Sequence, residues 1–195
     1  VAKAEKYYRV MYRGSAESWN LRDTHMFDTL KAIMDTKGSK TKAIVWAHNS
    51  HLGDARATEM GKDRGEVNLG QLCRQHYGDK ARLVGFGTAH GEVAAAHNWG
   101  GDMEVKSLRA PINKSIEKLW DETGIERGFI NMDTLSDKLT QEMGQKFLQR
   151  AVGVIYRPET ERVSHYFETS VAEQFDDYIW FRETHAVNPL PHLKE

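Results

Sequence analysis

The chain has 195 residues, with 27 Lys and Arg against 28 Asp and Glu, a formal charge of −1 and one cysteine. Phosphate neutralisation needs a basic surplus gathered on one face, so this balance speaks against nucleic acid as a partner. No run approaches the ~20 apolar residues of a spanning helix, and Cys73 has no partner for a disulfide within the chain, so no membrane partner is expected and a reducing, cytoplasmic setting is.

The opening segment, Val1 to Met11, has neither an initiator Met nor a signal-peptide pattern and reads as a helix already under way, as in a fragment of a longer protein. Over 18–37, Trp19, Met26, Leu30, Ile33 and Met34 share one helical face. Ala43 to Ala47 is continuously apolar and suits a strand covered on both faces. The turn-rich 49–68 reads as a loop, and 69–77 as a helix that places Leu69, Leu72 and Cys73 together, with Cys73 as a packing residue. Leu83 to Phe86 is a second apolar strand, followed by a loop over 87–102. A helix over 114–123 stripes Ile116, Leu119 and Trp120 before Gly124, with Asn113 as its cap rather than a glycosylation acceptor. Phe129-Ile130 is a weaker strand candidate. Thr134 and Asp137 then resemble a capping box ahead of Leu135, Leu139 and Met143. Val152 to Tyr156 is a third apolar strand, 157–164 a loop, and Tyr178 to Phe181 a weaker strand, before an irregular tail marked by Pro189 and Pro191. Strands alternating with helices predict an α/β layered fold with a largely parallel sheet.

In such a sheet, ligands bind beyond the carboxyl ends of the strands. Three predicted strands end in polar residues: the first runs into His48-Asn49-Ser50-His51-Leu52-Gly53-Asp54, the second into Thr88-Ala89-His90-Gly91-Glu92, and the third into Arg157 to Arg162 with His165 behind. His48 and His51 carry the strongest signal, because imidazoles accept, donate or relay protons near neutral pH. Their interval is three and not the four of a His-Glu-x-x-His zinc helix, so His48 could equally be a satisfied core histidine and His51 a solvent-facing one. Arg22 and Asp23 fall on the edges of the apolar stripe of the first clear helix. Burying either alone is costly, so they pair with each other, pair elsewhere, or face a wet cleft where one orients a histidine or holds a substrate oxygen. The glycines of Gly85 to Gly91 miss the dinucleotide fingerprint by one position and read as a tight turn presenting His90, and there is no Gly-x-Ser-x-Gly elbow. The alternating charges at Arg157, Glu159, Glu161 and Arg162 read mostly as a laced loop, leaving Arg157 and His165 as site candidates.

Trp19-Asn20-Leu21-Arg22-Asp23 with His25-Met26, Val45 to Asp54, Asn68 to Leu72, Val84 to Thr88, Gly153 to Arg162 with Ser164 to Phe167, and Gln174-Phe175-Asp176 together resemble the erythromycin esterase family, whose members include succinoglycan-biosynthesis-like proteins. The resemblance implies a three-layer α/β sandwich with a mostly parallel or mixed sheet and helical additions. Residues 1–195 would be the carboxyl-terminal portion of a single such domain, incomplete because the amino-terminal part is missing. It implies a bacterial hydrolase of macrolide antibiotic resistance type, acting on a macrolactone or another small-molecule ester through histidine-activated water and without a cofactor. The family's histidine pair maps onto His48 and His51 as catalytic residues, with Arg22, Asp23, His90, Arg157 and His165 as substrate-binding candidates. The family's base lies in a Gly-Glu-x-x-His-like motif near the amino terminus of the full protein. No such motif occurs here, so the remainder of the chain on the amino-terminal side is the expected partner and the isolated fragment is expected to be inactive. Two other readings stay open: a divalent metal ion held by His48, His51 and either Asp54 or His90, and a non-catalytic binder using Arg22, Arg157 and Arg162 for an anion.

Overall fold

The computed structural model describes residues 5, 8–10 and 16–188. Most of the expected opening helix and the tail at Pro189 and Pro191 lie outside them. The described residues fall into two compact units, one within Val1–Gly85, Ile130–Lys146 and Phe167–Tyr178, the other within Phe86–Phe129, Phe147–Tyr166 and Ile179–Glu195.

In the first unit, α1 (Ala16–Lys37) is the long helix expected over 18–37, yet its one fully buried side chain is Asp23, and Ile33 is half exposed. The segment expected to be a buried strand at 43–47 is not one. Ile44 is 95% and Trp46 84% exposed, and among the described residues no ladder includes this run, so apolar continuity here lacks the neighbouring strand that would make it a strand. The supposed loop 49–68 instead holds α2 (Asn49–Leu52), a 3-10 turn at Ala55–Ala57, and α3 (Glu59–Arg64). Asp54 and Thr58 cap the latter two by accepting from Arg56 and Gly61 backbone N–H groups. Next come α4 (Leu69–Tyr77), capped by Asn68, and α6 (Asp137–Met143), capped by Ser136 and not by Thr134. Between them in sequence lies α5 (Ile116–Glu122) of the second unit, whose cap is Ser115 and not Asn113. Gly124, at φ +69°, follows it as expected.

A mixed four-stranded sheet, with most of its residues in the second unit, has the order β2-β1-β6-β3, where β1 is Val84–Ala95, β2 Glu104–Ser107, β3 Arg127–Asn131 and β6 Asp177–Thr184. β1 and β2 are antiparallel, Glu92 opposite Ser107. The expected turn at 87–91 is therefore the middle of a strand. Polar Thr88, His90 and Glu92 alternate with Gly87, Ala89 and Gly91, and the small residues admit a neighbour: a Cβ on Gly91 would lie 1.8 Å from the Thr184 carbonyl oxygen. Residues 152–156 are likewise not a strand beyond one bridge, Ile155 to Ala96; the strand is β4 (Phe147–Arg150), which forms a two-stranded sheet with β5 (Tyr166–Thr169). The remaining short helices are α7 (Glu161–Ser164) and α8 (Val171–Gln174). The core of the second unit centres on Trp180, Tyr156 and Ile116, with Trp120 stacked on Trp180 at 5.5 Å.

Candidate active site

Trp19, Arg22 and Asp23 are three and four residues apart on α1 and so share a face. That face meets α2. The buried Asp23 carboxylate lies 2.9 and 2.8 Å from His51 Nδ1 through its two oxygens, and its Oδ2 also accepts the Leu69 N–H at 3.1 Å. Leu69 opens α4, whose positive end favours a carboxylate there. Arg22 Nε stands 3.7 Å from Asp23 Oδ1, and Arg22 Nη2 is 3.1 Å from His51 Nε2. Trp19 stacks on the His51 ring at 4.5 Å, nearly parallel, while the Arg22 guanidinium lies 4.8 Å over the Trp19 ring. The stripe-edge charges thus pair with each other and with one of the two histidines.

Obligatory donors fix the tautomers. An arginine N–H can only donate, so Nε2 of His51 accepts and its proton sits on Nδ1, facing the carboxylate. His48 is the opposite case. It caps α2, and its Nδ1 accepts the Ser50 backbone N–H at 3.2 Å and lies 2.9 Å from Ser50 Oγ, so neutral His48 carries its proton on Nε2. Asn68 holds this turn in place by donating to the Ser50 and Gly53 carbonyls at 2.8 and 2.7 Å, while its Oδ1 caps α4 at Gln71. Gly70 lets the two helices touch, since a Cβ there would sit 2.1 Å from the Leu52 carbonyl oxygen. Asn20 ties 65–67 to α1 through the Gly65 carbonyl and the Val67 N–H.

An erythromycin esterase family model matches residues 1–184. The chain belongs to the erythromycin esterase family. Its fold is similar to that of a succinoglycan biosynthesis protein (TM-score 0.69, 20% identity, 86% of this chain and 39% of that one) and of a Bacillus cereus protein (0.73, 18%, 87% and 40%). It is also similar to a mutant of the erythromycin esterase EreC in its open conformation (0.61, 16%, 91% and 41%). In sequence it is 27% identical over 154 residues to a protein named elongation factor Ts from Sulfurovum sp. (strain NBC37-1), covering 77% of this chain and 41% of that protein. The chain spans about two fifths of the length of each of these relatives.

Of the esterase-family candidates, the first unit gathers Arg22, Asp23 and His51, with His48 one helical turn away in sequence. Asp54 is buried, but Arg56 takes its carboxylate through Nε at 3.0 Å and Nη2 at 2.6 Å. Among the described residues no three His, Cys, Asp or Glu side chains gather to hold a metal ion, so the set His48, His51, Asp54 is not assembled. The other candidates belong to the second unit. His90 Nε2 lies 2.9 Å from Asp121 Oδ1, which also takes Arg182 Nε at 3.0 Å. Burial alone would raise the Asp121 carboxyl, but Arg182 and His90 outweigh it and hold it below the ordinary range. His165 Nδ1 donates to the Ala151 carbonyl and Nε2 accepts the Arg157 N–H at 3.0 Å, so both ring nitrogens bind backbone; its burial pushes the imidazole pKa down. Arg157 donates to the His97 carbonyl and Asn98 Oδ1. These two side chains fasten loops through those contacts. Glu161, read as structural, accepts the Tyr156 hydroxyl at 2.7 Å and pairs with buried Arg150 at 3.3 Å. Trp19, Ser50 and Asn68 also build the site, and all three stand in the segments that resemble the family. No spacing rule announces a ring stack or a two-ended cap. Among the described residues no helix is long and apolar enough to cross a membrane.

Proposed function

We propose that this chain is the carboxyl-terminal part of an ester hydrolase that opens a carboxylic ester or macrolactone with histidine-activated water, and that His48 is its proton donor. The observation that carries this reading is the Ser50 N–H on His48 Nδ1, which leaves the His48 proton on Nε2. A neutral imidazole with Nε2–H can steady the oxyanion that forms when water attacks an ester carbonyl, and can then hand its proton to the departing alkoxide. The attacking water gives its proton to a base in the rest of the protein, and that proton returns to His48 once the alcohol has formed, restoring the neutral ring. Family membership supports hydrolase chemistry; that esters and macrolactones are the substrates is the proposal. The test is hydrolysis of a macrolide lactone and a panel of aryl esters by the full-length protein and its His48→Asn variant. Asn keeps a cap for α2 and loses the Nε2 proton. A fall of about 100-fold or more in kcat on the ester that turns over is expected. Unchanged kcat would remove His48 from the chemistry, and absence of turnover on every ester would refute the esterase reading.

A further inference from the structure

His51 has both ring nitrogens engaged, one by a buried carboxylate and the other by an arginine. A histidine so held has no nitrogen left to exchange protons with a substrate. What it does instead follows from the guanidinium it grips. Arg22 Nε is buried with no hydrogen-bond partner, and Nη2 points one N–H at His51, yet the Arg22 side chain is 35% exposed. Nη1 donates no hydrogen bond among the described residues and, unlike Nε, is not among the buried atoms, so the remaining N–H groups form the open edge of a planar fork. Trp19 stacks on the His51 ring and also carries the Arg22 guanidinium over its own, so the fork cannot swing without breaking a cation–π contact and a hydrogen bond together.

We propose that His51 is a positioning residue, locked by Asp23 as the Nδ1–H tautomer, and that it aims Arg22 so that the open edge of the guanidinium takes the carbonyl or carboxylate oxygen of the substrate. The site's ligand class is then a carboxylic ester and the carboxylate it releases. The matching of a planar fork to two oxygens favours arginine over lysine for this task. The proposal rests on the esterase reading for its substrate, while the tautomer and the anion site stand independently of it.

Asp23→Ala is the decisive variant. Both Asp23 oxygens lie on His51 Nδ1, so the truncation removes the acceptor that holds the proton there. A His51 proton that moves to Nε2 meets the Arg22 N–H, and the arginine loses its acceptor. The measurement is ¹⁵N NMR of histidine-labelled full-length protein, with acetate titrated as the simplest carboxylate. In the wild type, His51 is expected to show a protonated Nδ1 and an unprotonated Nε2. Asp23→Ala is expected to abolish that pattern at His51, leave that of His48 unchanged, and weaken acetate binding about 10-fold; Arg22→Gln weakens acetate by the same factor or more. If Asp23→Ala does not fold, the wild-type tautomer and Arg22→Gln decide. A wild-type His51 protonated at Nε2, or acetate affinity untouched by Arg22→Gln, overturns the proposal. Lack of ester turnover in the wild type counts against the esterase reading alone.

Discussion

Glu117 offers the sharpest test of the electrostatics. It sits in the first turn of α5, only 2% exposed, with Oε1 accepting the Arg150 backbone N–H at 3.0 Å and Oε2 buried without a partner. Burial pushes its carboxyl up to about 7, against the pull of the Arg150 and Glu117 backbone N–H groups, the Arg150 charge and Ser115. The unfolded chain ionises the same group near 4.5. Between these values the folded state holds a proton that the unfolded chain has released, so Glu117's contribution to stability is fully present below pH 4.5 and is lost as pH rises through 7. At about 1.4 kcal/mol per pH unit, the full loss is about 3 kcal/mol. Glu117→Gln keeps the acceptor for the Arg150 N–H and cannot ionise. The stability of the variant minus that of the wild type, from urea unfolding at intervals between pH 4.5 and 8, should therefore climb by about 3 kcal/mol and level off above 7. Asp121 and His165 titrate alike in both proteins and cancel in the difference. A difference constant with pH to within about 0.5 kcal/mol would show that the carboxylate is solvated or paired in the native state and refute this account.

Three further outcomes follow from the packing. Gly70→Ala places a Cβ against the backbone of Leu52 and Gly53, which cannot yield as a flexible side chain would; a loss of about 3 kcal/mol in unfolding free energy is expected, with the His51 ¹⁵N signals shifted because α4 carries the Leu69 N–H. Arg150→Met removes the partner of buried Glu161 and should cost about 3 to 5 kcal/mol in the same assay, a good part of it recovered when Glu161→Gln is added. Arg56→Ala leaves buried Asp54 with the residue 56 backbone N–H but no guanidinium; because Arg56 is about half exposed, water can partly replace it, and a smaller loss of about 1 to 2 kcal/mol is expected in the same assay.

Much of the helical framework was legible in the sequence. α1, α4, α5 and α6 were placed from spacing and stop signals, because each of those signals is local. The strands were less so. Apolar runs at 43–47 and 152–156 carry the composition of buried strands, but a strand needs a neighbour to accept its hydrogen bonds, and composition cannot supply one. β1 failed in the other direction: glycines that signal a turn in isolation here admit the Thr184 backbone, a fact set by a residue more than ninety positions away.

The site shows the same division between residue and role. That Arg22 and Asp23 had to find partners followed from the cost of burying a charge, and that His48 and His51 were worth watching followed from imidazole chemistry. Which histidine does what did not follow, because the two are alike in sequence and differ only in the donors that reach them. Ser50 sits two residues after His48 and delivers its N–H to Nδ1; Asp23 and Arg22 come from another helix and clamp His51 at both ends. On the proposed reading, opposite tautomers within one helical turn divide the labour, one ring offering a proton and the other aiming a guanidinium, and exchanging their donor sets would exchange those roles without altering either histidine.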